Sequence, residues 1–198
     1  HAPSTLSQSG NSLWLRSHYA LAFSPLAHLR DKAALAQSPW KKDVLQGSQI
    51  LEGTFDFNRK IIAYDAQFWE NLHSQDLQWL RQFYDFHWIA DVETVRNDAE
   101  TAETVRGIIK QWWRNRDHSP VSRHPDVMGE RLSQWCYYRT FLCNDAPSDF
   151  KRQFLQKQYS MLLKLETNRK RKGNKTSFIV LKGIIAAALM LPATEHLL

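Results

Sequence analysis

The sequence predicts an all-α fold that contains, at most, one short β-hairpin. Apolar residues recur at helical spacing in one segment after another, and a turn separates each segment from the next. The alternation of apolar and polar residues that is typical of strands occurs in a single stretch. With 198 residues, of which 43% are hydrophobic, the chain is long enough to bury one substantial core.

The N-terminal third is predicted to contain two short helices and the hairpin. Apolar spacing indicates helices over residues 13–22 and 25–36, the second with a proline in its first turn. Further along, an alternating stretch is connected by a polar turn to a second apolar run. This pattern predicts a hairpin near residues 53–64.

The middle of the chain is predicted to hold two aromatic helices. Residues 75–91 carry the densest aromatic cluster and are apolar nearly all round, which indicates a helix at the centre of the fold. Residues 99–114 form a clear amphipathic helix. Asp85 and His87 are polar groups on a largely buried helix, so they either have polar partners in the core or face a cleft.

The segment that begins near Pro120 organises the rest of the chain. Pro120 and Pro125 predict an extended loop, and Asp126 suits the first turn of a helix, where the positive end of the helix dipole favours a carboxylate. An apolar stripe follows at helical spacing: Met128, Leu132, Trp135, Cys136 and Leu142. Arg139 lies inside this stripe and Arg131 at its edge. For each arginine the alternatives are a structural ion pair, a side chain that extends its charged end to solvent, or a place in a groove for an anionic ligand.

The C-terminal part is predicted to form two further helices. Ser148 is a suitable N-cap for a helix over residues 149–165, and the basic run at 169–175 indicates a solvated turn after it. An apolar helix follows at 178–191. It is shorter than the roughly 20 residues that a membrane helix needs, so we predict a buried core helix and no membrane span.

Charge and motif content limit the classes of function. The formal net charge is +6 and the pI is near 9.4, which favours acidic partners: nucleic acid, an anionic membrane or an acidic polysaccharide. The sequence has no glycine-rich phosphate loop, no Cys/His metal spacing and no Ser/His/Asp signature, so we predict no metal or other cofactor. No aromatic residue interleaves the basic run at 169–175, which disfavours base stacking there.

Several motifs together resemble the N-terminal region of heparinase II/III-like proteins. They are Pro39-Trp40, Gly53-x-Phe55-x-Phe57, Trp69 and Trp79, and the segments 83–89, 124–135 and 187–192. The resemblance covers residues 38–192. It implies an incomplete (α/α) toroid of antiparallel helix pairs over residues 38–198, preceded by an N-terminal helical lead at 1–37. In the family, a β-sandwich follows the toroid.

The resemblance implies a function in the breakdown of acidic polysaccharide. Members of the family cleave uronate-containing chains by β-elimination: a base removes the proton beside the carboxylate while a polar group neutralises that carboxylate. The family's catalytic asparagine, tyrosine and histidine match no position here, so we assign no catalytic residue and expect this stretch to be inactive by itself. The expected partner is an acidic polysaccharide rather than nucleic acid. The implied location is the periplasm or cell envelope, with the cytoplasm as the alternative.

Six residues are candidates for the wall of a substrate cleft: Arg131, Arg139, Trp135, Tyr84, Asp85 and His87. For each of them, a place in the core is the alternative interpretation. Two other functions also fit the residues. One is a non-catalytic carbohydrate-binding or scaffold domain. The other is a basic helical nucleic-acid-binding module, for which the net charge of +6 and the basic run are the basis.

Overall fold

The structure is a computed structural model, and it describes residues 42–115 and 119–191. The predicted helices at 13–22 and 25–36, and with them most of the predicted helical lead, lie outside these residues. Nearly all of the described part belongs to one compact unit, Gln37–Ala187, and residues 188–191 belong to a second unit.

Within the described residues the chain forms nine α-helices and one two-stranded hairpin, which confirms the all-α prediction. In chain order the elements are α1 Val44–Leu51, β1 Thr54–Phe57, β2 Lys60–Ala63, α2 Phe68–Asn71, α3 Leu77–Asp85, α4 Trp88–Val95, α5 Ala99–Asn115, α6 Pro125–Tyr137, α7 Arg139–Cys143, α8 Ser148–Lys172 and α9 Phe178–Met190. No helix in residues 42–115 or 119–191 combines the length and the apolarity that crossing a membrane requires.

The predicted hairpin is confirmed. Its strands are antiparallel and pair Phe57 with Lys60, which leaves a turn of two residues. The turn residues Asn58 and Arg59 have φ angles of 53° and 62°. Two successive left-handed residues match the twist of the flanking strands. The alternation in β1 places Phe55 and Phe57 in the core.

The long aromatic helix predicted in the middle of the chain is two helices, which corrects the prediction. α3 ends at Asp85, α4 begins at Trp88, and Phe86 between them has a left-handed φ of 64°. The Phe86 ring is fully buried and contacts the rings of Trp112 and Trp135 at centroid distances of 5.3 and 5.5 Å. Burial of this ring offsets the cost of a left-handed non-glycine residue, which is about 1–3 kcal/mol.

The helix predicted from Asp126 onwards is also divided. α6 ends at Tyr137, Tyr138 leaves the helical conformation with a ψ of 15°, and α7 begins at Arg139. In one continuous helix, Arg139 would lie on the same buried face as Trp135, four residues earlier. The break therefore spares the Arg139 guanidinium from full burial.

The two C-terminal helices differ from the prediction in length and in exposure. α8 continues to Lys172, so most of the basic run that was predicted as a turn forms its last turn, where cations suit the negative end of the helix dipole. α9 buries Val180 and Ile184, but Phe178 and Ile185 are 78% and 54% exposed. The helix is thus buried on one face rather than all round.

A continuous set of aromatic contacts connects the hairpin to α8. The Phe55 ring contacts Phe83, Phe83 contacts Phe86, and Phe86 contacts Trp135. Trp135 then stacks on Phe154 of α8 with ring centroids 4.7 Å apart. Edge-to-face and offset contacts of this kind stabilise a core beyond the area they bury. They place α6 between the aromatic core and α8.

Two glycines allow α6 and α9 to approach closely, and this contact is testable. A Cβ atom at Gly183 would lie 2.4 Å from the carbonyl oxygen of Gly129, and backbone cannot yield as a flexible side chain can. We expect Gly183→Ala to lower the free energy of unfolding by about 1–3 kcal/mol. Urea unfolding followed by circular dichroism measures the change.

Gly107→Ala is the matched control for this prediction. Gly107 lies inside α5, and a Cβ atom there meets nothing within 4 Å. Because alanine favours a helix more than glycine does, this variant should gain about 0.5–1 kcal/mol. Equal unfolding midpoints for Gly183→Ala and Gly107→Ala would contradict the close contact.

Candidate functional site

α6 carries two adjacent charged residues in its buried stretch. Glu130 and Arg131 have only 8% and 2% of their surface exposed. Charged residues are rarely buried to this extent unless they are paired. Neighbouring residues on a helix point about 100° apart, so the two side chains meet different surroundings.

The Glu130 cluster consists of Glu130 and four residues around it: Asp85, His87, Gln134 and Lys182. Oε1 of Glu130 accepts a hydrogen bond from Gln134 at 3.0 Å and lies 2.5 Å from Nε2 of His87. Lys182 Nζ forms an ion pair with both carboxylate oxygens and lies 2.5 Å from Oε2. Since His87 immediately precedes α4 and Lys182 belongs to α9, the Glu130 carboxylate joins three helices.

The break at Phe86 brings Asp85 and His87 together. Oδ1 of Asp85 accepts a hydrogen bond from the backbone N–H of His87 at 3.0 Å. Oδ2 lies 3.7 Å from Nδ1 of the imidazole ring. The His87 ring, whose side chain is 40% exposed, therefore lies between two carboxylates, those of Asp85 and Glu130.

These surroundings shift the pKa of all three groups. Burial raises the pKa of Asp85 to about 6. Burial acts in the same direction on Glu130, but the hydrogen bonds and charge of His87 and the hydrogen bonds of Lys182 and Gln134 outweigh it and lower its pKa to about 2. Burial lowers the pKa of His87, whereas the hydrogen bond with Glu130 and the charge of Asp85 raise it overall. The imidazolium form is thus favoured, which suits His87 to joining helices rather than to accepting a proton from a ligand.

Arg131 is only partly paired. Its Nη2 donates a hydrogen bond at 2.6 Å to the carbonyl oxygen of Ser122, in the 3-10 turn Pro120–Arg123 that replaces the extended loop predicted there. The guanidinium carbon lies 4.6 Å from the centroid of the Trp112 ring, a cation–π contact. Among the described residues, Nε and Nη1 have no hydrogen-bond partner. Burial lowers the pKa of Arg131 to about 9, while the nearby charge of Asp85 acts in the opposite direction, so the group remains charged at neutral pH.

A cavity of about 460 Å³, which we call the Arg131 pocket, lies beside this guanidinium. Four of the residues that line it are basic: Arg123, Arg131, Lys157 and Lys164. No carboxylate of the described residues lines it, and Trp112 and Trp135 form an aromatic part of its wall. Because aromatic groups rather than water surround the buried cation, its charge is weakly screened. The Arg131 pocket therefore suits an anionic ligand.

The structure distributes the six predicted site residues over different places. Arg131 lines the pocket, and Asp85 and His87 belong to the Glu130 cluster. Trp135 is fully buried and stacked in the core, although it also lines the Arg131 pocket. Arg139, at the start of α7, is not among the residues that line this pocket.

Tyr84, the sixth candidate, is a buried neighbour of the site. Its side chain is 5% exposed, and its hydroxyl group is hydrogen-bonded to Ser119. Burial raises the pKa of the phenol, so it is neutral at physiological pH. Tyr84 is therefore a core residue rather than part of the pocket wall.

Sequence reasoning did not identify five of the charged residues now found at the site. They are Arg123, Glu130, Lys157, Lys164 and Lys182. Lys157 and Lys164 are seven residues apart on α8 and so share a helix face, but any solvated helix face shows such spacing. Only the packing of α8 against α6 reveals that this face lines a cavity.

Comparisons with family models, with curated proteins and with solved structures each found no match for the chain. The residues that the structure describes also contain no group of three or more His, Cys, Asp or Glu side chains placed to hold a metal ion. The geometry and charge of the Glu130 cluster and the Arg131 pocket are therefore the basis for assigning a function.

Replacement of Glu130 tests the structural role of the cluster. Glu130→Gln keeps the size of the side chain but removes the carboxylate charge that faces Lys182 and His87, so it should cost about 3–5 kcal/mol of unfolding free energy at pH 7. The pKa of Glu130 is lowered from 4.5 to about 2 in the folded state. The stabilisation by its charge is therefore full above pH 4.5 and is lost as the pH falls towards 2. Denaturant unfolding of both proteins at several pH values should show the difference shrinking in that interval.

Glu166→Gln provides the control for Glu130→Gln. Glu166 forms a more exposed ion pair with Arg169, one turn further along α8, at 2.8 Å. Exposed pairs contribute less than about 1 kcal/mol, so this variant should stay close to wild type at each pH. If Glu130→Gln lowers the free energy of unfolding by the same amount at every pH between 7 and 2, the charge of Glu130 is not what joins the helices.

Proposed function

We propose that this chain is the N-terminal helical part of a polysaccharide lyase-like protein, and that its Arg131 pocket binds carboxylates of a uronate-containing polysaccharide. The observation that carries this proposal is the buried, partly paired guanidinium in the wall of a cavity that three further basic residues line. An anion in the pocket offsets the cost of burying this charge. Binding of a carboxylate thus has a driving force that an ordinary basic surface lacks.

The proposed architecture is an incomplete (α/α) toroid. Its basis is the resemblance of the segments 53–57, 83–89 and 124–135 to heparinase II/III-like proteins, for which this fold is expected. Helix packing supports it, since α8 packs against α6 and α4 packs against α1. Packing of helices side by side is what a toroid built from helix pairs requires.

In this proposal the pocket binds the substrate and takes no part in proton transfer. β-Elimination requires a base that removes the proton beside the uronate carboxylate. Arg131 is protonated at neutral pH, and both ring nitrogens of His87 face carboxylates. The role that the Arg131 pocket fits is electrostatic stabilisation of the carboxylate itself. A non-catalytic carbohydrate-binding domain would use the pocket in the same way.

Within the Arg131 pocket, the burial of the aromatic rings favours a carboxylate over a stacked base. Proteins that bind single strands present exposed aromatic faces on which bases stack. Trp112 is 6% exposed and carries the Arg131 guanidinium on its ring, while Trp135 is fully buried against Phe154. Neither ring offers a free face to a base.

Replacement of Arg131 tests the proposed function. Arg131→Met removes the buried charge while an apolar side chain of similar length fills its place, and such replacements often leave folding intact. We expect the affinity for an oligouronate to fall about tenfold or more, because a hydrogen bond to a charged group contributes about 1.5–3 kcal/mol. Isothermal titration calorimetry at fixed salt, with a neutral oligosaccharide of equal length as reference, measures the effect.

Lys172→Met is the matched control, because it removes the same charge at the exposed end of α8. Its affinity should stay within about twofold of wild type. If Arg131→Met and Lys172→Met bind equally well, Arg131 is not part of the binding site. Tighter binding of single-stranded DNA than of the oligouronate at the same salt would support the nucleic-acid alternative instead.

The chain should bind the oligouronate without cleaving it. No residue matches the family's catalytic positions, and loss of a general base typically costs about 10²–10⁴ in rate. Ultraviolet absorbance of the unsaturated uronate product follows the reaction, and the expected signal equals that of a sample without protein. Turnover that His87→Gln abolishes would place the chemistry within the described residues.

A further inference from the structure

A second cavity, of about 420 Å³, adjoins the Arg131 pocket along α8. Lys157 lines both cavities, Gln153 lines the second and Lys164 lines the first. These α8 residues are spaced by four and seven positions, so they lie on one face of the helix. The stretch that they span is about 16 Å long at a rise of about 1.5 Å per residue. The two cavities thus follow each other along α8 and share Lys157 in their walls, and together we call them the α8 groove.

The second cavity has an aromatic wall that differs from that of the Arg131 pocket. Trp113 is only partly buried there, and its ring stacks on Phe150 with centroids 5.4 Å apart and planes inclined by 23°. Its Nε1 has no hydrogen-bond partner among the described residues. A partly exposed indole offers apolar area to the C–H face of a sugar ring.

The charge of the second cavity is positive on balance. Three basic residues line it: Lys110, Arg114 and Lys157. The carboxylate that also lines it, Asp149, is paired with Arg152 at 2.5 Å, and Lys110 is paired with Glu103 at 3.2 Å. Arg114 forms no ion pair with any of the described residues, so its charge remains available to a ligand.

We propose that the second cavity is a further subsite, so that the α8 groove binds several consecutive sugar units of one acidic polysaccharide chain. The inference rests on the proposed function, because the Arg131 pocket is its first subsite. Basic residues recur along the groove, with Arg131 and Lys164 at one end, Lys157 between the cavities and Arg114 at the other end. A linear polymer with a carboxylate on successive units matches this recurrence, whereas a single small anion needs only one cavity.

The test compares two ligand lengths in three proteins. Wild type, Arg114→Met and Arg171→Met are titrated with a uronate disaccharide and a uronate hexasaccharide at the same salt concentration. A hexasaccharide can bind in more alignments than a disaccharide, which by itself raises its apparent affinity. The informative quantity is therefore the ratio of the two affinities in each protein. Arg171 lies on the exposed last turn of α8 and controls for the loss of one positive charge.

We expect Arg114→Met to lower the hexasaccharide affinity about tenfold and to leave the disaccharide affinity within about twofold of wild type. Arg171→Met should preserve both affinities. If both ligands bind and Arg114→Met leaves their affinity ratio unchanged, the second subsite is refuted while the proposed function stands. If neither ligand binds wild type, both proposals fail. Tighter binding of a single-stranded oligonucleotide than of the hexasaccharide would overturn the polysaccharide as the occupant of the groove.

Discussion

The burial of two opposite charges side by side on α6 is the constraint on which the rest of this structure depends. The buried charge of Glu130 is satisfied, since Gln134, His87 and Lys182 all lie within hydrogen-bond distance of its carboxylate. Arg131, the next residue, has one carbonyl oxygen, one aromatic ring and the nearby charge of Asp85. The same helix thus carries a satisfied charge that joins its neighbours and an incompletely satisfied charge that favours an anion. The residue that joins the helices and the residue proposed to bind an anion are thus neighbours in the sequence.

The left-handed residue Phe86 connects the aromatic core with this arrangement. Its ring closes the contact between the hairpin side of the core and Trp135, and its backbone turns the chain so that Asp85 and His87 lie together. A continuous helix would separate these two side chains by about 200° around its axis. The position of His87 beside Glu130 is therefore a consequence of how one apolar ring is buried, and the polar cluster depends on the apolar core.

The sequence predicted those features that local chemistry decides. The turn at Asn58 and Arg59 and the amphipathic α5 follow from turn residues and helical periodicity, and Arg131 was identified because a charge beside an apolar stripe needs an explanation. The breaks at Phe86 and Tyr138 were missed because the apolar spacing continues through both. Their conformation is set by tertiary packing, which outweighs local preference. The basic residues of the α8 groove come from helices and turns distant in sequence, so no local pattern could bring them together.

The distribution of charge, rather than its sum, distinguishes the groove from the rest of the surface. A net charge of +6 by itself draws any polyanion to a protein. Elsewhere on the described surface, several cations lie beside carboxylates, as Lys42 does with Glu93 and Arg169 with Glu166. The Arg131 pocket, by contrast, is lined by four basic residues and no described carboxylate. The field of paired surface charges is short-ranged in salt solution, whereas a buried cation behind aromatic side chains keeps much of its strength at close range. If the groove binds an acidic polysaccharide as proposed, this attraction should decline less with rising ionic strength than the general attraction to the surface, because only a ligand inside the groove meets the weakly screened charge.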